Sequence, residues 1–200
     1  MEAMTRFSCA LGLALVCAVV QASGATPQRL VASGKADGAV PAWTITAEAP
    51  AGWTADCCTY ARAIGVDAVL YRGEWSGKPD RVMVLNVWPA KLASLDAELQ
   101  ADRKRYLQRD PAAKVERLDI AQPQMVCMAN VFEGTDRLDD IVVFCDPGKA
   151  SGIRLSWSMT LADGDTLRRP LLAALMGVIG TTAYRSGRVA PTAIAVREKH

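Results

Sequence analysis

Four cysteines, Cys57, Cys58, Cys127 and Cys145, carry most of the chemistry available beyond the first 25 residues. A thiol acts as nucleophile, metal ligand or disulfide partner, and its setting decides which. Cys57 and Cys58 are adjacent: one reading is a vicinal disulfide working as a redox switch, another that each pairs elsewhere or that one stays buried. Neither a Cys-x-x-Cys spacing nor a basic neighbour is present to activate a thiolate. Four cysteines permit three pairings, and the spacing alone leaves the choice open. Met125-Val126-Cys127-Met128 gathers soft sulfur ligands of the kind that suit copper(I). Strand alternation turns Met128 to the face opposite Met125 and Cys127, so only two ligands converge and core filling is the preferred reading.

The other reactive groups exclude more than they suggest. The single histidine is His200, the last of 200 residues. Catalytic triads, imidazole bases and most zinc sites need a positioned histidine. Ser-Lys and paired-carboxylate mechanisms survive that test, but no motif supports them. No phosphate-cradling glycine loop or dinucleotide fingerprint occurs, so no cofactor and no metal is expected. Glu133, Asp136, Asp139 and Asp140 form an acidic turn whose spacing fits no calcium loop and reads as a solvated hairpin end. Trp43, Trp53, Trp75, Trp88 and Trp157 read as core and strand-edge anchors rather than a sugar platform. Trp53 and Trp75 lie beside glycine-rich turns; these two are expected to be the most exposed and, if so, natural contacts for a partner.

The N-terminus explains why the cysteines should be oxidised. Arg6 precedes an apolar run from Phe7 to Val20, and small residues follow in Ala22-Ser23-Gly24-Ala25. That is the pattern of a secretory signal cleaved near Gly24 or Ala25, with an apolar run too short to span a bilayer. Val16 before Cys17 is too bulky for a lipoprotein signal. The frequent Ala and Arg, with few Lys, suggest a GC-rich bacterial genome, which makes the expected location periplasmic or secreted. Disulfides are then expected. A net charge of +2 offers no footprint for nucleic acid. No later stretch is long enough for a transmembrane anchor.

Residues 26–42 read as a flexible leader, 43–185 as one domain and 186–200 as a mobile tail. Strands are predicted at 43–47, 68–75 and 81–88. A helix follows over 92–109, with Leu92, Leu95, Leu99 and Tyr106 on one face and Ser94 as N-cap. Acidic Asp96 and Glu98 near its start, and Arg103, Lys104, Arg105 and Arg109 near its end, suit the helix dipole. Further strands are predicted at 115–120, 124–133, 139–146 and 152–160, and a second helix over 167–184. A turn centred near Asp136 pairs Val131 with Ile141, Ala129 with Val143 and Cys127 with Cys145, so that a cross-hairpin disulfide is geometrically allowed. The hairpin is apolar on both faces and must be covered on both. The order implies an α+β domain: a mostly antiparallel sheet of six or seven strands with helices on both faces, a three-layer sandwich.

That order, opened by Trp43-Thr-Ile-Thr-Ala-Glu-Ala-Pro50-Ala-Gly52-Trp53, resembles the PsbP-like fold, which includes DcrB-like periplasmic proteins. The resemblance covers residues 43 to 184 and implies a non-catalytic docking, accessory or assembly role. The four cysteines are not part of that pattern. The expected function is therefore a binding module whose partner is another exported or envelope protein, of assembly or immunity type. Thiol-redox or other enzymatic activity and small-ligand carriage are the alternatives.

Overall fold

The computed structural model describes residues 28–187 apart from 39, 76–78 and 80. Residues 1–27, on which the expected signal segment falls, and residues 188–200 with His200 lie outside the described residues. In chain order the elements are β1 (Arg29–Gly34), β2 (Trp43–Glu48), β3 (Thr54–Asp56), α1 (Tyr60–Ala63), β4 (Ala68–Arg72) and β5 (Arg81–Pro89). They continue with α2 (Leu95–Arg109), β6 (Lys114–Ile120), β7 (Val126–Glu133), β8 (Leu138–Asp146), β9 (Ile153–Ala162), α3 (Arg168–Thr181) and β10 (Ala183–Ser186). Seven strands form one antiparallel sheet in the order β3-β4-β5-β9-β8-β7-β6, and a smaller sheet has the order β1-β2-β10. The protein is α+β.

Local signals set the long elements. Ser94 caps α2, its hydroxyl accepting from the Ala97 amide at 3.1 Å. Asp96 and Glu98 occupy the first turn and Arg109 the last. The β7–β8 register is Val131 with Ile141, Ala129 with Val143 and Cys127 with Cys145. Because side chains alternate, Phe144 and Cys145 face opposite ways. Phe144 packs with Leu95 and Leu99 of α2, joined by Trp88, Met128 and Val142. Cys145 belongs to the main core with Trp157, Ile45 of β2 and Leu171, Leu175, Val178 and Ile179 of α3. Each such fully buried leucine or isoleucine contributes about 1.5–3 kcal/mol.

Four expectations need correction. Residues 29–34 are not leader: β1 pairs along all of β2, with Leu30 and Ala32 each 2% exposed. Of its six residues only Val31 has a marked strand preference, and what holds it is the non-local ladder. The second helix ends at Thr181, and the chain re-enters as β10, pairing Ala183 with Thr46 and Ser186 with Trp43. The β-branched pair Thr181-Thr182 favours that change, and the Thr182 hydroxyl donates back to the Val178 carbonyl at 2.7 Å. Finally, β2 lies outside the large sheet, whose seventh member is the short β3. The predicted strand over 68–75 stops at Arg72, where Gly73 adopts a φ of 85°.

Candidate functional site

The sulfur atoms are spoken for. Cys127 and Cys145 form a buried disulfide across β7 and β8, their Cα atoms 4.2 Å apart. Cys57 and Cys58 are joined to each other, so neither links to the hairpin pair. The Asp56 carboxylate holds this turn, accepting from the amides of Cys58, Thr59 and Ala61. Cys57 leans on the main core and Cys58 is exposed. Cys127 is bonded and Met125 is buried in the main core, while Met128 faces α2 and accepts from Arg117.

The two tryptophans expected as exposed anchors are not free. Trp53 is 8% exposed and part of the main core, because its turn folds back through an amide donated to the Pro50 carbonyl. Trp75 is half-buried, stacked on Tyr60 at 4.8 Å and edge-on to Tyr71 at 5.2 Å. The acidic turn is likewise engaged: Asp139 with Arg168, Asp140 with Thr160, and Asp136 with the Leu138 amide.

The site that local reading missed lies on the α2 side of the large sheet. β9, at the centre, alternates without a break: Leu155, Trp157, Met159 and Leu161 enter the main core, while Arg154, Ser156, Ser158 and Thr160 face the other way. On that face β4 and β5 are covered by α1 and the Tyr60–Tyr71–Trp75 cluster, and β7 and β8 by α2. The two covers do not meet. Between them runs a groove of about 610 Å³, floored by Asn86, Ser156 and Ser158, with Trp88, Val142 and Phe144 beside them. Trp88 stands edge-to-face on Phe144 at 6.0 Å.

One wall is the sheet-facing stripe of α2. Leu95, Glu98, Leu99 and Asp102 share it at helical spacing, so two carboxylates ride between two core leucines. Glu98 is 7% exposed, and its Oε1 has no hydrogen-bond partner among the described residues. The same holds for Asp102 Oδ2. Burial pushes the Asp102 carboxyl above its ordinary range, opposed by the Asn130 amide and the positive charges of Arg105 and Arg109, and reinforced by Asp140. Arg105 reaches only to 3.9 Å from Asp102 Oδ1 and is 70% exposed, a screened pair of little strength. Lys91 and Leu92 stand exposed at the mouth.

A second, polar depression at the end of the sheet holds two ion pairs, Lys114 with Glu133 at 3.8 Å and Arg168 with Asp139. In the groove, by contrast, Glu98 Oε1 and Asp102 Oδ2 have no hydrogen-bond donor among the described residues. No hydrogen bond joins Ser156 or Ser158 to a carboxylate among the described residues, and no histidine occurs among them. The two unpaired carboxylate oxygens suit holding a donor-rich group.

No family model matches this chain, and no curated protein matches its sequence. Among solved structures, the fold is similar to the solution structure of cyanobacterial PsbP (CyanoP) from Synechocystis sp. PCC 6803, at 11% identity and a TM-score of 0.49. The match covers 82% of this chain and 96% of that one. The element order read from the sequence resembles the same fold.

Proposed function

We propose that this chain is an exported, non-catalytic binding module of the periplasm that works through contact with another exported or envelope protein, in an assembly or immunity-type role. The observation that carries this reading is the groove between α2 and the sheet, where Glu98 and Asp102 keep buried oxygens without partners. A buried acceptor left unpaired costs about 1–3 kcal/mol, and a binding partner that supplies the missing donors offsets that cost. The N-terminal signal pattern and the disulfides support the same reading. No helix among the described residues is long and apolar enough to cross a membrane.

The test is photo-cross-linking in cells that express the full chain with a photoreactive residue at Leu92, at the groove mouth. One stoichiometric protein partner is expected, and Ala101→Trp, which fills the groove from the α2 wall, should abolish its capture. A blank, or capture unchanged by Ala101→Trp, sinks the reading and turns the search to small ligands and thiol chemistry.

A further inference from the structure

The groups lining the groove between α2 and the sheet are rich in acceptors. Glu98 Oε1 and Asp102 Oδ2, one helical turn apart, are both buried without a donor among the described residues. Beneath them the hydroxyls of Ser156 and Ser158 and the side-chain carbonyl of Asn86 add acceptor capacity. Trp88 supplies an aromatic wall. The positive groups nearby do not complete this set. Arg105 is mostly in solvent and misses Oδ2, and Lys91 is exposed at the mouth. Their charges are screened within about 8 Å at physiological salt, whereas buried carboxylates are screened far less. Both are long side chains on the outer rim, so entry of a ligand needs only rotamer changes.

A cation with many donors and a flat face meets these demands. Guanidinium carries five N–H groups, accepts nothing, is weakly hydrated and stacks on aromatic rings. Ammonium has three donors and a tighter hydration shell, and gains less from Trp88. The groove, at about 610 Å³, is larger than one guanidinium and takes the aliphatic stem with flanking residues. Leu92, 40% exposed at the mouth, gives those residues an apolar contact.

Resting on the binding-module reading, we propose that the groove receives an arginine side chain of a partner polypeptide, with Glu98 and Asp102 as its counter-charges and Trp88 as the surface on which it lies.

The experiment titrates the full chain with acetyl-Leu-Arg-Leu-amide, with the same peptide carrying neutral citrulline, and with agmatine, following the Trp88 indole N–H by NMR. A saturable shift with the arginine peptide is expected, weakening with salt, and at least about tenfold weaker with citrulline or in Glu98→Gln. Glu98→Gln should melt at or above the wild-type temperature; should it fail to fold, Asp102→Asn carries the same comparison. Equal binding of the citrulline peptide, undiminished binding in the folded variant, or no saturable shift at millimolar peptide overturns the proposal. Agmatine binding as tightly as the peptide assigns the site to a free cation and overturns the partner source. If the arginine peptide does not bind while Ala101→Trp still abolishes capture in cells, the binding-module reading stands and the arginine assignment falls.

Discussion

The indole N–H of Trp157 donates to the hydroxyl of Thr182 at 3.0 Å, a bond between β9 and the residue that ends α3, with both side chains buried. The Thr182 hydroxyl in turn donates to the Val178 carbonyl, so one hydroxyl serves the large sheet and the helix end together. Thr182→Val keeps the shape but strands the buried indole N–H. It is expected to lower stability by about 1–3 kcal/mol in urea unfolding. An unchanged midpoint would show that the indole finds another acceptor.

The two disulfides should contribute unequally. Cys127–Cys145 closes a separation of 18 residues and Cys57–Cys58 a separation of 1. Loop-closure entropy then predicts about 3 kcal/mol lost in Cys127→Ala/Cys145→Ala, and about 1 kcal/mol at most in Cys57→Ser/Cys58→Ser. A non-reducing peptide map should link the segments around Cys127 and Cys145. Retained partner capture in Cys57→Ser/Cys58→Ser, measured beside the melt, separates a structural bond from thiol chemistry. Capture lost without loss of stability would favour a redox role.

Stability should respond to pH through buried carboxyls. Burial raises Asp102 and Asp67 above the ordinary value of 3.8, Asp67 in spite of the Val87 amide it accepts. The folded state therefore holds these protons more tightly than the unfolded chain. Their favourable contribution is full below that ordinary value and is lost as pH rises through the raised folded values. Asp102→Asn should raise the melting temperature at pH ~7 and leave it unchanged near pH ~3. An equal shift at both pH values would assign the effect to packing.

Gly34 lies against the indole of Trp43, its partner across β1 and β2, and a Cβ there would overlap the ring. Since Trp43 is buried, Gly34→Ala is expected to cost about 1–3 kcal/mol through overpacking. A chain beginning at residue 42 should lose still more, because it uncovers one edge of β2. Wild-type stability in both variants would return residues 29–34 to the status of a leader.

Where the determinants are local, the fold was readable. Ser94, Asp96 and Glu98 announce the start of α2, and the turn near Asp136 sets a register that places Cys127 opposite Cys145. β1 and β10 escaped because their residues carry little strand preference and gain order only by flanking β2. Trp53 misled because a glycine turn usually faces solvent, while its ring turns inward. Glu98 and Asp102 read naturally as dipole partners or solvated charges, since helical patterning assigns charge to the outer face. Their signal was present in β9: an unbroken polar row from Arg154 to Thr160 has no place on a covered central strand unless something polar sits above it.

The small sheet gives the described chain a particular response to pulling. β1 and β10 both run antiparallel to β2, and Arg29 lies beside Glu48 while Ser186 lies beside Trp43. Tension applied between Arg29 and Ser186 therefore draws the outer strands in opposite directions along β2, loading the two ladders lengthwise in shear. Rungs strained together resist force better than rungs unzipped one at a time, so β1-β2-β10 is a mechanical clasp for a domain tethered at both ends.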